Sequence, residues 1–94
     1  MANGNVSEAT FEVINALGLH ARAAAQLVKI ANSYQCEVTL ICDGQSVNAK
    51  SIMGVLMLAA AQGMHVTVNC AGADGASCLK DIGKLFASRF GEPN

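Results

Sequence analysis

The sequence predicts one α/β (α+β) domain, an open-faced sandwich in which a four-stranded antiparallel sheet carries three helices on one face. Two patterns favour this fold. Apolar and polar residues alternate in several short segments, as in half-buried strands, and recur at helical spacing in others. Gly and the single Pro separate these segments. With 94 residues, 52% of them apolar, the chain can bury the core of one domain.

The first half of the chain is predicted to form a strand, a helix and a hairpin. Phe11 and Val13 share one face of the first strand, and from Ala21 the apolar spacing becomes helical. Asp43-Gly44 is a strong signal for a tight hairpin turn. The predicted strand, helix, strand and strand lie at residues 10–14, 21–32, 36–42 and 45–48.

The second half is predicted to form a helix, a strand and a last helix. Ser51 is the expected N-cap of the second helix and Gly63 its end, while Asp74 is a candidate cap for the last helix. The second helix and fourth strand are predicted at residues 52–62 and 64–70, and the last helix carries the apolar stripe Leu79, Ile82, Phe86 and Phe90. The order is βαββαβα, which a ferredoxin-like domain with an added helix also fits.

The ends of the chain carry no visible targeting signal. Residues 1–7 are small and polar and are expected to form a short flexible tail before a single domain at 8–94. The longest apolar run, residues 55–61, is far too short to cross a bilayer, so no membrane insertion is expected. These features predict a cytoplasmic protein.

Charge and cysteine content argue against two classes of function. The net charge is −1 and the six basic residues are scattered, so no nucleic-acid partner is expected. None of the four cysteines forms a C-x-x-C pair, and in a cytoplasmic chain they are expected to be buried, reduced thiols. No metal site is predicted. The cysteines are Cys36, Cys42, Cys70 and Cys78.

Residues 15–22 carry the candidate chemistry. His20 lies where a loop meets the predicted first helix, and a helix start offers unpaired N–H groups and a positive dipole end to an anion. A neutral imidazole keeps one nitrogen lone pair and can act as a nucleophile toward phosphorus. Arg22 can neutralise charge on a transferring group, and the backbone amide of Ala21 can bind it. Spacing alone also fits an ordinary surface histidine.

Two separated motifs resemble the histidine-containing phosphocarrier (HPr) family of the bacterial phosphoenolpyruvate-dependent sugar phosphotransferase system. Residues 18–24, GLHARAA, resemble its active-site signature, and residues 50–55, KSIMGV, its second signature. The resemblance implies a stoichiometric carrier, not an enzyme, that needs no cofactor. It implies that enzyme I phosphorylates His20 on the pros nitrogen, Nδ1, and that the group passes to enzyme IIA proteins.

The second motif implies regulation and docking. By resemblance, Ser51 is a candidate phosphoserine for a serine kinase and phosphorylase, and Ile52, Met53 and Leu56 are the partner-binding residues. Val55 and Leu58 are then expected in the core; the alternative is that this whole apolar helix is buried. One position departs from the family pattern, because Ala23 stands where Pro is usual after the Arg. We expect this change to tune phosphate stability or partner preference without removing the site.

Three other functions compete with the sugar-system carrier. A carrier of the nitrogen-related phosphotransferase chain would look alike in sequence. A regulatory binding module without phosphotransfer would be expected to lack the histidine, whereas this chain has His20 together with Arg22. A small-molecule-sensing ferredoxin-like domain would explain the order of elements but not the two motifs.

Overall fold

The computed structural model describes residues 5–94 and has the predicted architecture, a four-stranded antiparallel sheet with three helices in the order βαββαβα. A short 3-10 turn, Arg89–Gly91, follows the last helix. The elements are β1 Val6–Glu12, α1 Ala21–Asn32, β2 Glu37–Cys42, β3 Gln45–Asn48, α2 Ile52–Leu58, β4 His65–Ala71 and α3 Gly75–Ala87.

The sheet has the strand order β1-β4-β2-β3, which places the first and third strands at its edges. β4 pairs with both β1 and β2, so Val68 stands opposite Ala9 on one side and Leu40 on the other. Leu40 and Val68 are fully buried. Alternate residues of the central strands therefore face the helices and form the core, which is the one-sided burial that the alternation predicted. No helix within residues 5–94 has the length and apolar character needed to cross a membrane.

The start of the domain differs from the prediction. β1 runs from Val6 to Glu12 instead of over 10–14, so Val6 and Ser7 belong to the sheet and not to a flexible tail. Only the first four residues of that predicted tail lie outside the described part of the chain. The local pattern missed the start of this strand because Ser7, Glu8 and Ala9 are polar or small. Backbone pairing with β4, as between Ser7 and Cys70, holds them in place.

Two helices end earlier than predicted. α2 stops at Leu58 because Ala59 adopts a left-handed conformation, with φ of 52°, and its N–H returns to the carbonyl of Leu56. α3 stops at Ala87, and Phe90, with φ of 54°, lies in the following turn. The Phe90 ring is nevertheless buried, with its centroid 5.1 Å from that of Phe86. Burial of this ring continues the predicted stripe after the helix has ended.

Asp74 lies at the N-cap position of α3 but does not cap the helix with its side chain. Its carboxylate instead accepts hydrogen bonds from the backbone N–H groups of Gln35, at 2.7 Å, and Cys36, at 2.9 Å. The predicted capping role is therefore wrong. The neighbouring loop before β2 offers two donors, and a carboxylate can accept both.

Candidate functional site

The loop between β1 and α1 is fixed against the segment that follows α2. The N–H of Leu19 donates to the carbonyl of Ala60 at 2.9 Å. Gly18 has φ of 65°, and a Cβ there would lie 2.5 Å from the Ala60 carbonyl oxygen. Only glycine allows both this conformation and this close approach, so the residues just before His20 have a defined path.

The side chain of Asn15 joins this loop to the end of the chain. Asn15 is fully buried, and its Nδ2 donates to the carbonyl of Gly18 at 2.9 Å and to Oε1 of Glu92 at 3.1 Å. The N–H of Ala16 also donates to the carbonyl of Asn94 at 2.9 Å. These bonds hold the C-terminal residues beside the loop and bring the Glu92 carboxylate to His20.

His20 is the N-cap residue of α1, with an extended backbone and a partly exposed side chain. Its Nε2 is hydrogen-bonded to Oε2 of Glu92. An ionised carboxylate can only accept, so Nε2 carries the proton of this bond. In the neutral ring the lone pair is then on Nδ1, for which residues 5–94 provide no hydrogen-bond partner. The contact with Glu92 therefore selects the tautomer in which Nδ1 is nucleophilic.

The start of α1 keeps its backbone donors available. His20 makes no side-chain cap bond, and the first N–H that returns to the N-cap carbonyl is that of Ala24, at 2.8 Å. The N–H groups of Ala21, Arg22 and Ala23 have no acceptor within the helix. Together with the helix dipole they favour an anion beside His20. The structure thus places the predicted residues His20, Ala21 and Arg22 at one helix end.

Glu92 supplies a negative charge close to His20 and Arg22 at the start of α1. Its hydrogen bond with His20 is the main cause that lowers the pKa of Glu92, the bond from Asn15 is the next, and the positive charge of Arg22 adds to them. Arg22, Leu17 and Glu92 also line one open groove of about 360 Å³, together with Ala16, Pro93 and Asn94. An exposed guanidinium and a hydrogen-bonded carboxylate therefore border the same space.

Sequence reasoning missed Glu92, which is 72 residues away from His20 in the chain. The only local signals there are Gly91 and Pro93, which end a helix and suggest no active-site contact. The carboxylate reaches the histidine because Phe90 is buried in the core and the chain then turns toward the β1–α1 loop. Long-range packing of this kind leaves no mark in local periodicity.

The start of α2 contrasts with that of α1. Ser51 is its N-cap, as predicted, and Oγ accepts a hydrogen bond from the N–H of Gly54 at 3.1 Å. Val55 and Leu58 are buried, also as predicted. Ile52 is 44% exposed and Met53 67% exposed, so the alternative of a wholly buried helix is wrong.

The exposed apolar surface differs in detail from the predicted set. Leu56 is only partly exposed and packs against the core, whereas Met57 is 65% exposed. Leu17, in the loop before His20, is 68% exposed. Sequence reasoning missed Met57 and Leu17 as surface residues. The hydrogen bond between Leu19 and Ala60 links the Leu17 loop to the chain just after α2.

Comparisons with known proteins identify the sequence family. The family model described as the PTS HPr component phosphorylation site matches residues 7–88. The phosphocarrier protein HPr of Xylella fastidiosa strain Temecula1 is 48% identical over 80 residues, which cover 85% of this chain and 90% of that protein. HPr of Cupriavidus necator is 46% identical over the same shares of both chains.

Solved structures match the fold closely. The crystal structure of HPr-C-His from Thermoanaerobacter tengcongensis superposes with a TM-score of 0.90 at 39% identity, covering 94% of this chain and 99% of that one. That of an HPr from Bacillus anthracis gives 0.82 at 33% identity, covering 86% and 96%. The sequence comparisons and the structural comparisons therefore identify the same group of proteins.

Proposed function

The chain belongs to the HPr family, the phosphocarrier proteins of the phosphotransferase system, and from this premise we propose that His20 carries the phosphoryl group. Enzyme I donates the group to Nδ1, and enzyme IIA proteins receive it. The observation that carries the proposal is the pairing of His20 Nε2 with Glu92 at the open start of α1. That pairing leaves Nδ1 as the nucleophile.

The transfer needs only groups that this helix end supplies. The Nδ1 lone pair attacks phosphorus, and the bond from phosphorus to its donor atom on enzyme I breaks with its electron pair. The ring then becomes positively charged, and the Glu92 carboxylate stabilises that charge through Nε2–H. The N–H groups of Ala21 and Arg22 and the Arg22 guanidinium offset the negative charge of the phosphoryl oxygens. Reversal of the same steps returns the group to an acceptor.

Docking is assigned to the exposed apolar residues next to this site. Ile52, Met53 and Leu56 were predicted for this role, and the exposure of Met57 and Leu17 extends the surface. Flexible Met side chains suit a surface that must accept both a donor and several acceptors. The link between Leu19 and Ala60 keeps this surface beside the His20 loop.

Ser51 remains a proposed site of regulation. Its hydroxyl already caps α2, and a phosphate at a helix start is compatible with the helix dipole. The added charge would lie beside Ile52 and Met53 and would oppose the docking of an apolar partner surface. Incubating the chain with lysate of its host and ATP tests this role, and absence of phosphoserine would contradict it for that host.

A phosphotransfer assay tests the proposed function. Purified chain is mixed with enzyme I, Mg²⁺ and phosphoenolpyruvate, and its mass is followed. We expect one acid-labile, alkali-stable phosphate in the wild type and none in His20→Ala. His65→Ala is the matched control, because His65 is the exposed first residue of β4 and its replacement should leave the gain unchanged.

The protein that accepts the phosphoryl group distinguishes a carrier of the sugar system from one of the nitrogen-related chain. Sugar-system enzyme IIA should discharge the phosphorylated chain, whereas a carrier of the nitrogen-related chain should discharge only to the acceptor of that chain. A wild type that gains no phosphate from the enzyme I of the sugar system or from its counterpart in the nitrogen-related chain would contradict the relay and favour a small-molecule-sensing domain.

A further inference from the structure

Three cysteine thiols from three different elements meet in the core, away from His20. Cys36 precedes β2, Cys70 lies in β4 and Cys78 in α3. Their Sγ atoms lie within 4.8 Å of one another, and each residue is at most 2% exposed. The sequence predicted inert single thiols and no metal site, since the spacing of these cysteines matches no ligand motif. The fold instead makes a group of three, called here the trithiol cluster.

The backbone around the trithiol cluster is fixed by Asp74. Its carboxylate holds the N–H of Cys36, and its carbonyl accepts the N–H of Cys78 at 3.1 Å. The loop between β4 and α3 also fits tightly against two of the cysteines. A Cβ on Gly72 would lie 2.8 Å from Cys36 Cα, and one on Gly75 2.6 Å from the Cys70 carbonyl oxygen. The three thiols therefore converge through fixed backbone positions.

The surroundings of the trithiol cluster oppose negative charge. Each of the three thiols is at most 2% exposed, so a charge placed on any of them would be removed from water. The carboxylate of Asp74 accepts hydrogen bonds from the N–H groups of Gln35 and Cys36, so an acidic group already lies beside Cys36. A ligand that leaves net negative charge on the thiols is therefore disfavoured, because that charge would be buried next to the carboxylate of Asp74.

Charge and geometry together select the ligand. Three thiolates around a univalent ion carry a net charge of −2 and around a divalent ion −1, whereas a trivalent centre is neutral. Sulfur atoms bound to one pyramidal arsenic(III) centre by bonds of about 2.3 Å lie about 3.5 Å apart, so the thiols need to close by at most about 1.3 Å. We propose that Cys36, Cys70 and Cys78 form a binding site for a trivalent thiophilic metalloid, with arsenic(III) as the representative ligand.

Binding is a condensation that needs no oxidant or reductant. Neutral arsenous acid, As(OH)₃, reacts with three thiols to give a trithiolate complex and three molecules of water. In each step an As–S bond forms, an As–O bond breaks, and the leaving hydroxide takes the thiol proton. Reactants and product are all neutral, so no charge is left in the core.

Native mass spectrometry and X-ray absorption of the arsenite-treated wild type test the site. We expect one arsenic per chain, three As–S bonds and no As–O bond. Binding to the folded state should raise the midpoint of thermal unfolding by about 10 °C when free arsenite exceeds the dissociation constant 100-fold. A lowered midpoint would show that arsenite binds only the unfolded chain and would overturn the proposal.

Variants identify the ligands. Cys78→Ala should lose the trithiolate complex, and any remaining adduct should keep an As–O bond. Cys42→Ala is the matched control, because Cys42 is also buried but is not one of the three clustered thiols, and it should bind as the wild type does. Retention of three As–S bonds in Cys78→Ala, or their loss in Cys42→Ala, would contradict the assignment. If a variant fails to fold, the absorption spectrum of the wild type still tests whether the folded chain binds arsenic through three sulfur atoms.

Discussion

The starts of α1 and α2 meet the same physical demand in opposite ways. At α2, the hydroxyl of Ser51 accepts a hydrogen bond from the N–H of Gly54 and caps the helix. At α1, His20 occupies the equivalent position and makes no side-chain cap bond. A good N-cap contributes about 1 kcal/mol of stability. At α1 the chain lacks that contribution and keeps free donors beside an imidazole, as the proposed phosphoryl transfer requires.

The two helices also differ in how they use apolar residues. α1 buries its whole apolar face, which consists of Ala23, Ala24, Leu27, Val28 and Ala31. α2 buries only Val55 and Leu58 and leaves Met53 and Met57 exposed. Exposed apolar side chains gain little from folding, and contiguous ones are typical of protein–protein contact surfaces. In the proposed function, the chemistry therefore lies at the start of α1 and the docking on α2.

The largest effect is expected from a charge on the exposed face of α2. Met53→Glu should lower the rate of phosphoryl transfer from enzyme I by about 30-fold, the cost of one central interface residue. The midpoint of unfolding should stay close to that of the wild type because Met53 is 67% exposed. Val6→Glu is the control, since Val6 is 53% exposed on β1. Equal rates for the two variants would contradict the docking role.

The next largest effect concerns the open start of α1. Glu92→Gln removes the charge that pairs with His20 Nε2, and the phosphorylation rate should fall about tenfold. Glu12→Gln, at an exposed position of β1, should have no effect. Unchanged rates in Glu92→Gln would show that the backbone donors and Arg22 suffice without the carboxylate.

Because the pKa of Glu92 is lowered in the folded state, we expect the stability of the fold to depend on pH. Folding lowers the pKa of Glu92 from its ordinary value of 4.5, so its ionised form stabilises the folded state. This contribution is fully present well above pH 4.5 and is lost as the pH falls through the lower folded value. Thermal unfolding of wild type and Glu92→Gln should therefore differ most at neutral pH and converge in acid. A constant difference would contradict an ionic role.

The closed start of α2 should affect stability and not chemistry. Ser51→Ala should lower the free energy of unfolding by about 1 kcal/mol and the thermal midpoint by about 4–8 °C. Ser51→Asp keeps a capping oxygen and should recover most of that stability. The rate at which enzyme I phosphorylates His20 should be unchanged in Ser51→Ala. A large loss of this rate would contradict the view that the start of α2 contributes to stability and not to the chemistry.

The smallest effect is expected at Ala23. The helix begins at Ala21, so Ala23 is in the first turn, where a proline removes no intrahelical hydrogen bond. Ala23→Pro should change the free energy of unfolding by less than about 1 kcal/mol. Loss of the Ala23 N–H should alter the hydrolysis rate of the phosphorylated chain by a few-fold at most. A destabilisation of several kcal/mol would show that the fully buried site cannot hold the proline ring.

Sequence reasoning performed best where the pattern is local. The bounds of α1, the hairpin to β3 and the N-cap Ser51 were predicted correctly because periodicity, Asp43-Gly44 and a capping residue each act within a few positions. It failed at the start of β1 and the end of α2. There the outcome depends on pairing with β4 and on the contact between Leu19 and Ala60, both of which are distant in sequence.

By itself the sequence determined the fold class, the family motifs and the helix end that presents His20, since these follow from residues near one another in the chain. Only the tertiary structure decided that Glu92 pairs with Nε2 of His20 and that Cys36, Cys70 and Cys78 share one place in the core. The physical reason is common to both. A charged partner 72 residues away and three thiols on separate elements are brought together by core packing, and each residue alone looks ordinary.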